Sequence, residues 1–254
     1  MNGNKLVVNQ DKTHVLVMGT KKMAANRNKV SIRSGQYNIK PSVTEKLLGG
    51  HIHQSLLWNH HISDHRNSLI SQLSSRINGL KKIASTATFN TKLMVANGVI
   101  MSKLVYLITV WGGAQKYLVN RLQVQQLTAA RVVCGYQSHY WSRRQLLDRV
   151  KWLSVRQLIF FHTALQAYKT TKSGLPLPLR ESISTDHPLN TRNAARGLIR
   201  FGETFRGESS LINLSFRFRA AQMYNKVPVN VKTGSLDSVK KKLKKWVCQN
   251  IPID

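Results

Sequence analysis

The sequence predicts a mainly α fold with a small β-rich portion at its N-terminus, an α+β arrangement. Three observations carry this. Short β-branched runs separated by turn residues fill the N-terminal end. Apolar residues then recur at three- and four-residue spacing from Ile62 onward. Two Ser-x-x-Gln capping boxes fall inside that second region. The expected organisation is a β-rich portion at 1–54, a helical domain at 55–174, and a basic C-terminal extension at 175–254 that ends in an amphipathic helix. A hydrophobic content of 42% is that of a folded chain.

In residues 1–48, Lys5–Val8 and His14–Met18 read as strands separated by Asn9–Thr13. Lys21–Lys29 is a polar, basic loop. Val30-Ser31-Ile32 and Tyr37-Asn38-Ile39 flank Ser34-Gly35, a hairpin turn signal. Four short strands cannot cover a core alone, so an incomplete sheet is expected. Lys46–Ile62, K-L-L-G-G-H-I-H-Q-S-L-L-W-N-H-H-I, joins the two regions. Gly49-Gly50 permits a bend, His51-Ile52-His53 alternates as a half-buried strand does, and Asn59 or Ser63 can cap the next helix.

The first helix, expected from Ser63, places Ile62, Leu69, Leu73, Ile77, Leu80 and Ala84 on one face. A second, capped by Asn90 or Thr91, runs to Trp111, where Gly112-Gly113 stops it. It is apolar almost all round and is expected to be the buried centre of the helical part. A third, Lys116–Cys134, turns Leu118, Leu122, Ala129 and Val133 inward and leaves Arg121, Gln125 and Arg131 on its other face. Ser142 with Gln145 and Ser154 with Gln157 form the capping boxes. The second box opens a helix with Val155, Leu158, Ile159, His162, Leu165 and Tyr168 near one stripe. Gly174 ends it, and L-P-L-P-L at Leu175–Leu179 is a linker candidate. Farther on, Arg192, Arg196, Arg200, Arg206, Arg217 and Arg219 interleave with Phe201, Phe205, Phe216 and Phe218. The F-R-F-R run fits either a period-two strand or a helix start. Leu236, Val239, Leu243, Trp246 and Val247 form the apolar face of the last helix, opposite Lys240, Lys241, Lys242, Lys244 and Lys245.

Charge narrows the function classes. Thirty-nine Lys and Arg against ten Asp and Glu give +29, spread over every quarter of the 254 residues. Such an excess repels itself unless a polyanion offsets it, which makes RNA or DNA the expected partner. Arg–Phe interleaving adds capacity for phosphate pairing and base stacking. Cys134 and Cys248 are too few for a disulfide framework and indicate a reducing compartment. The N-terminus carries no apolar signal run, and Leu93–Trp111 is interrupted by Asn97, Ser102 and Lys103. An intracellular location, nucleus or cytoplasm, is therefore expected, with no secretion and no membrane insertion.

Two-metal chemistry on nucleic acid requires grouped carboxylates. The acids are Asp11, Glu45, Asp64, Asp148, Glu181, Asp186, Glu203, Glu208, Asp237 and Asp254, none adjacent and none in D-x-D spacing. His51, His53, His60, His61 and His65 crowd one short stretch, and His61/His65 have the i, i+4 spacing of a zinc-binding helix. No glutamate follows His61 in the H-E-x-x-H sense and no cysteine is near, so no metal site is expected. Gly49-Gly50 lacks the G-K-[ST] continuation of a phosphate-binding loop.

Several segments, in order, resemble the reverse transcriptases of non-LTR (LINE-type, jockey-like) retrotransposons. Leu6–Met18, L-V-V-N-Q-D-K-T-H-V-L-V-M, is similar to the family's N-x-x-K-T segment. Leu48–Ile62 is similar to its L-G-x-x-[IL]-D…L-x-W-x-x-H-I palm-to-thumb junction, with His53 where aspartate is usual. Tyr106 with Val110–Gly112 resembles Y-x-x-x-x-W-G, and Arg121–Arg131 resembles R-L-x-x-[LI]-Q-x-x-A-x-R. Asn190–Arg192 and the tail from Ser215 to Lys245 resemble the T-R…F…A-x-x-W-N-x-[IL]-P…F-K-x-x-L-K ending. Tyr224, Val227 and Val239 depart from that pattern.

The resemblance implies a partial palm remnant followed by a helical, thumb-like bundle. It implies that the family's paired catalytic aspartates would precede Met1, and that Mg²⁺ belongs only to the complete RNA-directed DNA polymerase. Lys12 matches the N-x-x-K-T lysine, which in the family lies near the incoming nucleotide. The expected function is a non-catalytic nucleic-acid-binding remnant gripping a template–primer backbone largely without sequence preference. The alternatives are part of an active polymerase whose gene model lost its 5′ portion, or a pseudogene product without function. The residues expected to contact nucleic acid are Arg121, Arg131, Arg192, Arg196, Arg200, Arg217, Arg219, Lys240, Lys241, Lys242, Lys244 and Lys245.

Overall fold

A computed structural model describes residues 9, 12–19, 30–34, 37–174, 176–181, 183–184, 198–201 and 215–253. It is mostly helical, with small hairpins near the N-terminus. The chain divides into two compact units, Met1–Ser68 and Leu69–Asp254.

In the first unit, β1 (Ile32–Ser34) and β2 (Tyr37–Ile39) pair antiparallel with Ile32 opposite Ile39, the hairpin expected around Ser34. A second hairpin joins β3 (Thr44–Leu47) to β4 (Gly50–His53), with Lys46 opposite His51. Its turn residues, Leu48 and Gly49, have φ of 47° and 81°. Positive φ at both positions is what a two-residue hairpin needs to match strand twist. The bend therefore falls on Leu48-Gly49, one residue before the glycine pair. His14–Met18 is not a strand. Val15 makes a lone parallel bridge to Pro41, and its carbonyl accepts from Ser42 N at 2.8 Å. Lys5–Val8 and Lys21–Lys29 lie outside the described residues.

A π-helical turn, His60–Asp64, buries His61 and Ile62. Extended backbone at His65 (φ −110°, ψ 147°) ends it. Ile62 thus belongs to this turn, and the first long helix begins only at Leu69.

The second unit opens with α1 (Leu69–Lys82), which buries Leu69, Leu73, Ile77 and Leu80 as its periodicity requires; Ala84 lies past its end. The helix expected up to Trp111 is broken into α2 (Phe89–Val95), a π-helical segment (Ala96–Met101), α3 (Ser102–Val105) and α4 (Ile108–Trp111). Thr88 caps it, accepting from Thr91 N. The polar residues that interrupt this stretch serve the break. A π segment loosens the i→i−4 ladder and leaves groups to be satisfied. Arg76 Nη1 donates to Val99 O at 2.5 Å, Ser102 Oγ donates to Gly98 O, and Asn97 Oδ1 accepts from Trp152 Nε1 at 2.8 Å. Leu107 takes φ 56°, and the Trp111 indole N–H donates to Tyr106 O at 3.0 Å across the kink. This stretch is not the buried centre: Met94 is 74% exposed, and Val99, Tyr106 and Val110 also reach solvent.

The central helix is α7 (Val155–Ser173), buried on nearly every side. Around it pack α4, α5 (Lys116–Cys134), α8 (Leu177–Glu181), α9 (Phe216–Lys226) and α10 (Leu236–Asn250). Both capping boxes are present, one at the start of α6 (Arg143–Val150) and one at the start of α7. α7 begins inside the protein, so its first N–H groups need protein partners. Val155 N donates to Gln123 Oε1 at 2.8 Å, Gln123 Nε2 to Gln126 Oε1 at 2.9 Å, and Gln126 Nε2 to Leu153 O at 2.8 Å. Gly174, at φ 70°, ends α7. The proline segment beyond it folds into α8, whose Leu179 packs on the cluster of Ala167, Tyr168, Ile199, Ala220, Ala221, Tyr224 and Val239. Among the described residues of the expected 175–254 extension, Leu179, Ile199, Ala220, Ala221, Tyr224 and Val239 thus share a core with Ala167 and Tyr168 of α7. β5 (Ile183–Ser184) pairs antiparallel with β6 (Arg200–Phe201).

Candidate nucleic-acid interface

α10 gathers more of the candidate basic residues than any other described element. Val239, Leu243 and Val247, one turn apart, are buried, and Trp246 lies half-buried against Phe160 with ring centroids 5.6 Å apart. That stripe fixes the helix's rotation and turns Lys240, Lys241, Lys242, Lys244 and Lys245 to solvent. Ser235 caps the helix by accepting from Ser238 N, and Asp237 in the first turn suits the dipole. Lys242 Nζ donates to Thr233 O at 3.1 Å and Asn230 O at 3.5 Å, tying the helix to the preceding loop. Among the described residues, Lys241, Lys244 and Lys245 make no hydrogen bond or ion pair within the protein. Lys240 stands near His162 of α7. Burial first, then Lys240 and Lys169, lowers the His162 pKa to about 4.

The remaining candidates are dispersed. Arg121 is exposed and Arg131 half-buried on α5, and Arg217 is exposed on α9. Arg192 and Arg196 lie outside the described residues, as do Arg206 and Phe205; Arg200 is in β6 with its side chain outside the description. Lys12 is exposed, its backbone N–H donating to Asn9 O and Oδ1 at 3.3 and 3.2 Å.

Arg219 is corrected outright. It is 7% exposed, and its Nη2 donates to Thr109 O of α4 at 2.8 Å. Burial lowers its pKa to about 10, still charged at neutral pH. F-R-F-R proves to be the first turn of α9, capped by Ser215, and helical spacing sends Arg217 outward and Arg219 inward. Phe216 is partly buried, packed against the α7–α9 cluster.

The chain carries 39 Lys and Arg against 10 Asp and Glu. Ion contacts among the described residues include His14 Nδ1–Glu45 Oε1 at 3.4 Å and Arg144 Nε–Asp148 Oδ2 at 3.9 Å, and the latter pair is largely exposed. Lys232 was missed by sequence reasoning. It is buried, lies 4.1 Å over the Tyr224 ring and donates to Tyr224 O at 3.3 Å. Burial lowers its pKa. The space beside it, lined by Ala164, Tyr168, Tyr224 and Leu243 among others, holds only about 10 Å³, the room of one water. No group of three His, Cys, Asp or Glu among the described residues is arranged to hold a metal. No described helix is long and apolar enough to cross a membrane. Cys134 and Cys248 are free thiols.

The motif residues behind the family resemblance mostly serve the fold. Trp111, Leu122, Gln126 and Ala129 are buried. A Cβ on Gly112 would meet Ile108 O at 2.5 Å and Ile159 Cγ2 at 2.9 Å, so the glycine permits the close approach of α4 to α7. Asn225 accepts from Ile199 N and donates to Ile199 O, both at 2.9 Å. Comparison of the chain with protein-family models, curated proteins and solved structures gave no match.

Proposed function

We propose that this chain is a nucleic-acid-binding portion of a non-LTR retrotransposon-type RNA-directed DNA polymerase, corresponding to the end of the palm and a helical thumb. It grips the backbone of RNA or DNA with little sequence preference. The lysine face of α10 carries the reading. Five exposed lysines lie on one helix that is rigidly seated by Val239, Leu243 and Val247, in a chain of +29. Lysines contact phosphates as point charges and read no base edges, which is the chemistry of sequence-independent binding. The ordered motifs supply the family, and the family's aspartate pair has no counterpart in these 254 residues. Binding without catalysis by this portion follows from that reading.

The test is the salt dependence of oligonucleotide binding. Log K is expected to fall linearly with log salt, by roughly 0.9 per duplex phosphate contacted. Replacing Lys240, Lys241, Lys242, Lys244 and Lys245 by Gln is expected to weaken every sequence alike. The slope should flatten by about one unit for each phosphate that the variant no longer neutralises. An affinity indifferent to salt, or unchanged in the five-lysine variant, would overturn the reading.

A further inference from the structure

Three of the crowded histidines come together in the first unit. His51 on β4, with His60 and His65 at the π-helical turn and its end, form a triangle of rings. The centroids are 5.5 Å apart for His51–His60, 4.7 Å for His51–His65 and 4.8 Å for His60–His65. All three are partly exposed. The other two histidines are engaged differently: His53 Nδ1 accepts from Ser55 N at 3.1 Å, and His61 is buried with Nδ1 against His51 N at 3.4 Å.

Hydrogen bonding assigns distinct roles within the triangle. His65 Nδ1 accepts from Asn67 N at 3.0 Å, which fixes the tautomer bearing its proton on Nε2. Neutral His65 is therefore a donor. The rings of His51 and His60 have no hydrogen bond among the described residues, so either can take a proton without breaking one.

The surroundings are basic. Lys46 of β3 stands opposite His51, His53 of β4 adds to the repulsion on His60, and exposed Arg66 follows His65 in sequence. Against them the π-helical turn offers Asp64, whose carboxylate accepts from Ser63 Oγ, while Glu45 of β3 is turned to His14. Burial, then His65, His60 and Lys46, holds His51 below its ordinary value. Burial, then His65 and His53, does the same to His60, with Asp64 opposing. An anion placed among the rings would offset this burial and basic surrounding and favour protonation of one of them.

We propose that His51, His60 and His65, with Lys46 beside them, form a proton-coupled contact for a backbone phosphate of bound nucleic acid. The proposal rests on the nucleic-acid-binding reading above and adds a place and a pH dependence to it. A phosphodiester oxygen accepts from His65 Nε2–H and lies near the Lys46 ammonium. Its negative charge raises the proton affinity of His51 and His60, and one of them takes a proton from solvent. Binding and protonation then favour each other, as linkage requires. Affinity rises as pH falls through the range around and just below the ordinary histidine value, by up to about tenfold per pH unit for one proton. Above that range the uptake disappears and binding through the lysines of α10 remains.

The test uses the full chain and oligothymidylate, whose bases and phosphodiesters do not titrate in this range. Calorimetry in buffers of different ionisation enthalpy is expected to show uptake approaching one proton per complex below neutral pH. That uptake is expected to vanish in a His51→Gln, His60→Gln, His65→Gln variant and to persist in His162→Gln. Should the triple variant fail to fold, histidine-labelled wild-type protein provides a second readout: the NMR titration midpoints of His51 and His60 should move upward on adding oligothymidylate. Binding without proton uptake, uptake that survives the triple substitution in folded protein, or unmoved midpoints would overturn the site while leaving the function proposed above intact. Absence of any binding would overturn both.

Discussion

Two apolar stretches of this chain have opposite fates. In α7, twelve of nineteen residues are buried, and they face all round the helix. In the 89–111 stretch, burial is confined to Ala96, Ile100, Met101, Leu104, Ile108 and Trp111, while Met94, Val99, Tyr106 and Val110 stay exposed. By apolar content the 89–111 stretch is the better candidate for the centre of the fold. What separates the two is their neighbours. α7 carries Gln157, Thr163 and Thr170 inside: Gln157 Nε2 donates to Ile251 O, beyond the end of α10, at 2.8 Å, while Thr170 Oγ1 donates to Gln166 O one turn back in its own helix at 3.1 Å. The 89–111 stretch is covered on one side and kinked at Leu107. Apolarity permits burial, and the number of elements packed on a helix decides it.

The largest effect that could break this comparison comes from truncating one side chain in each stretch. Phe161→Ala in α7, at a side chain 6% exposed, is expected to cost about 3–5 kcal/mol, whereas Met94→Ala, at 74% exposed, should stay within about 0.5 kcal/mol. Chemical denaturation of both variants measures this, and equal losses would show that the two stretches are buried alike. A smaller effect belongs to the seam where they meet. Gly112→Ala drives a methyl into Ile108 O and Ile159 Cγ2 and is expected to cost about 1–3 kcal/mol; a neutral result would mean that α4 does not approach α7 closely.

The smallest expected effect is on pH dependence. His162 on α7 has its pKa lowered to about 4, by burial first and then by Lys240 and Lys169. The unfolded chain, with an ordinary histidine, binds the proton more readily than the folded one. Stability from this site is therefore complete above about pH 6.5 and is lost as pH falls toward 4. His162→Gln is expected to flatten that part of the stability profile. An unchanged slope would place the imidazole in water, and α7 would then be less enclosed there than its neighbours indicate.

Legibility followed the range of the interaction. The capping boxes at Ser142 and Ser154, the bounds of Lys116–Cys134, the stop at Gly174 and the inward face of α10 were readable because each depends on residues within one or two helical turns. The lysine face of α10 was readable for the same reason. Arg219 was not: its place depends on Thr109, more than a hundred positions away in the chain. The histidine crowding was visible, but which three rings meet depends on a β-turn at Leu48-Gly49 and a π-helical turn that composition does not mark.

The sequence by itself determined that this chain is basic, mostly helical, and equipped with a helix bearing lysines opposite its apolar face, because charge and periodicity are local sums over residues. Tertiary structure decided which helix is central, which arginine is buried beneath α9, and which histidines share a space. Those outcomes depend on how many elements close around a side chain, and burial changes a group's hydration and proton affinity in a way that its neighbours in sequence do not specify.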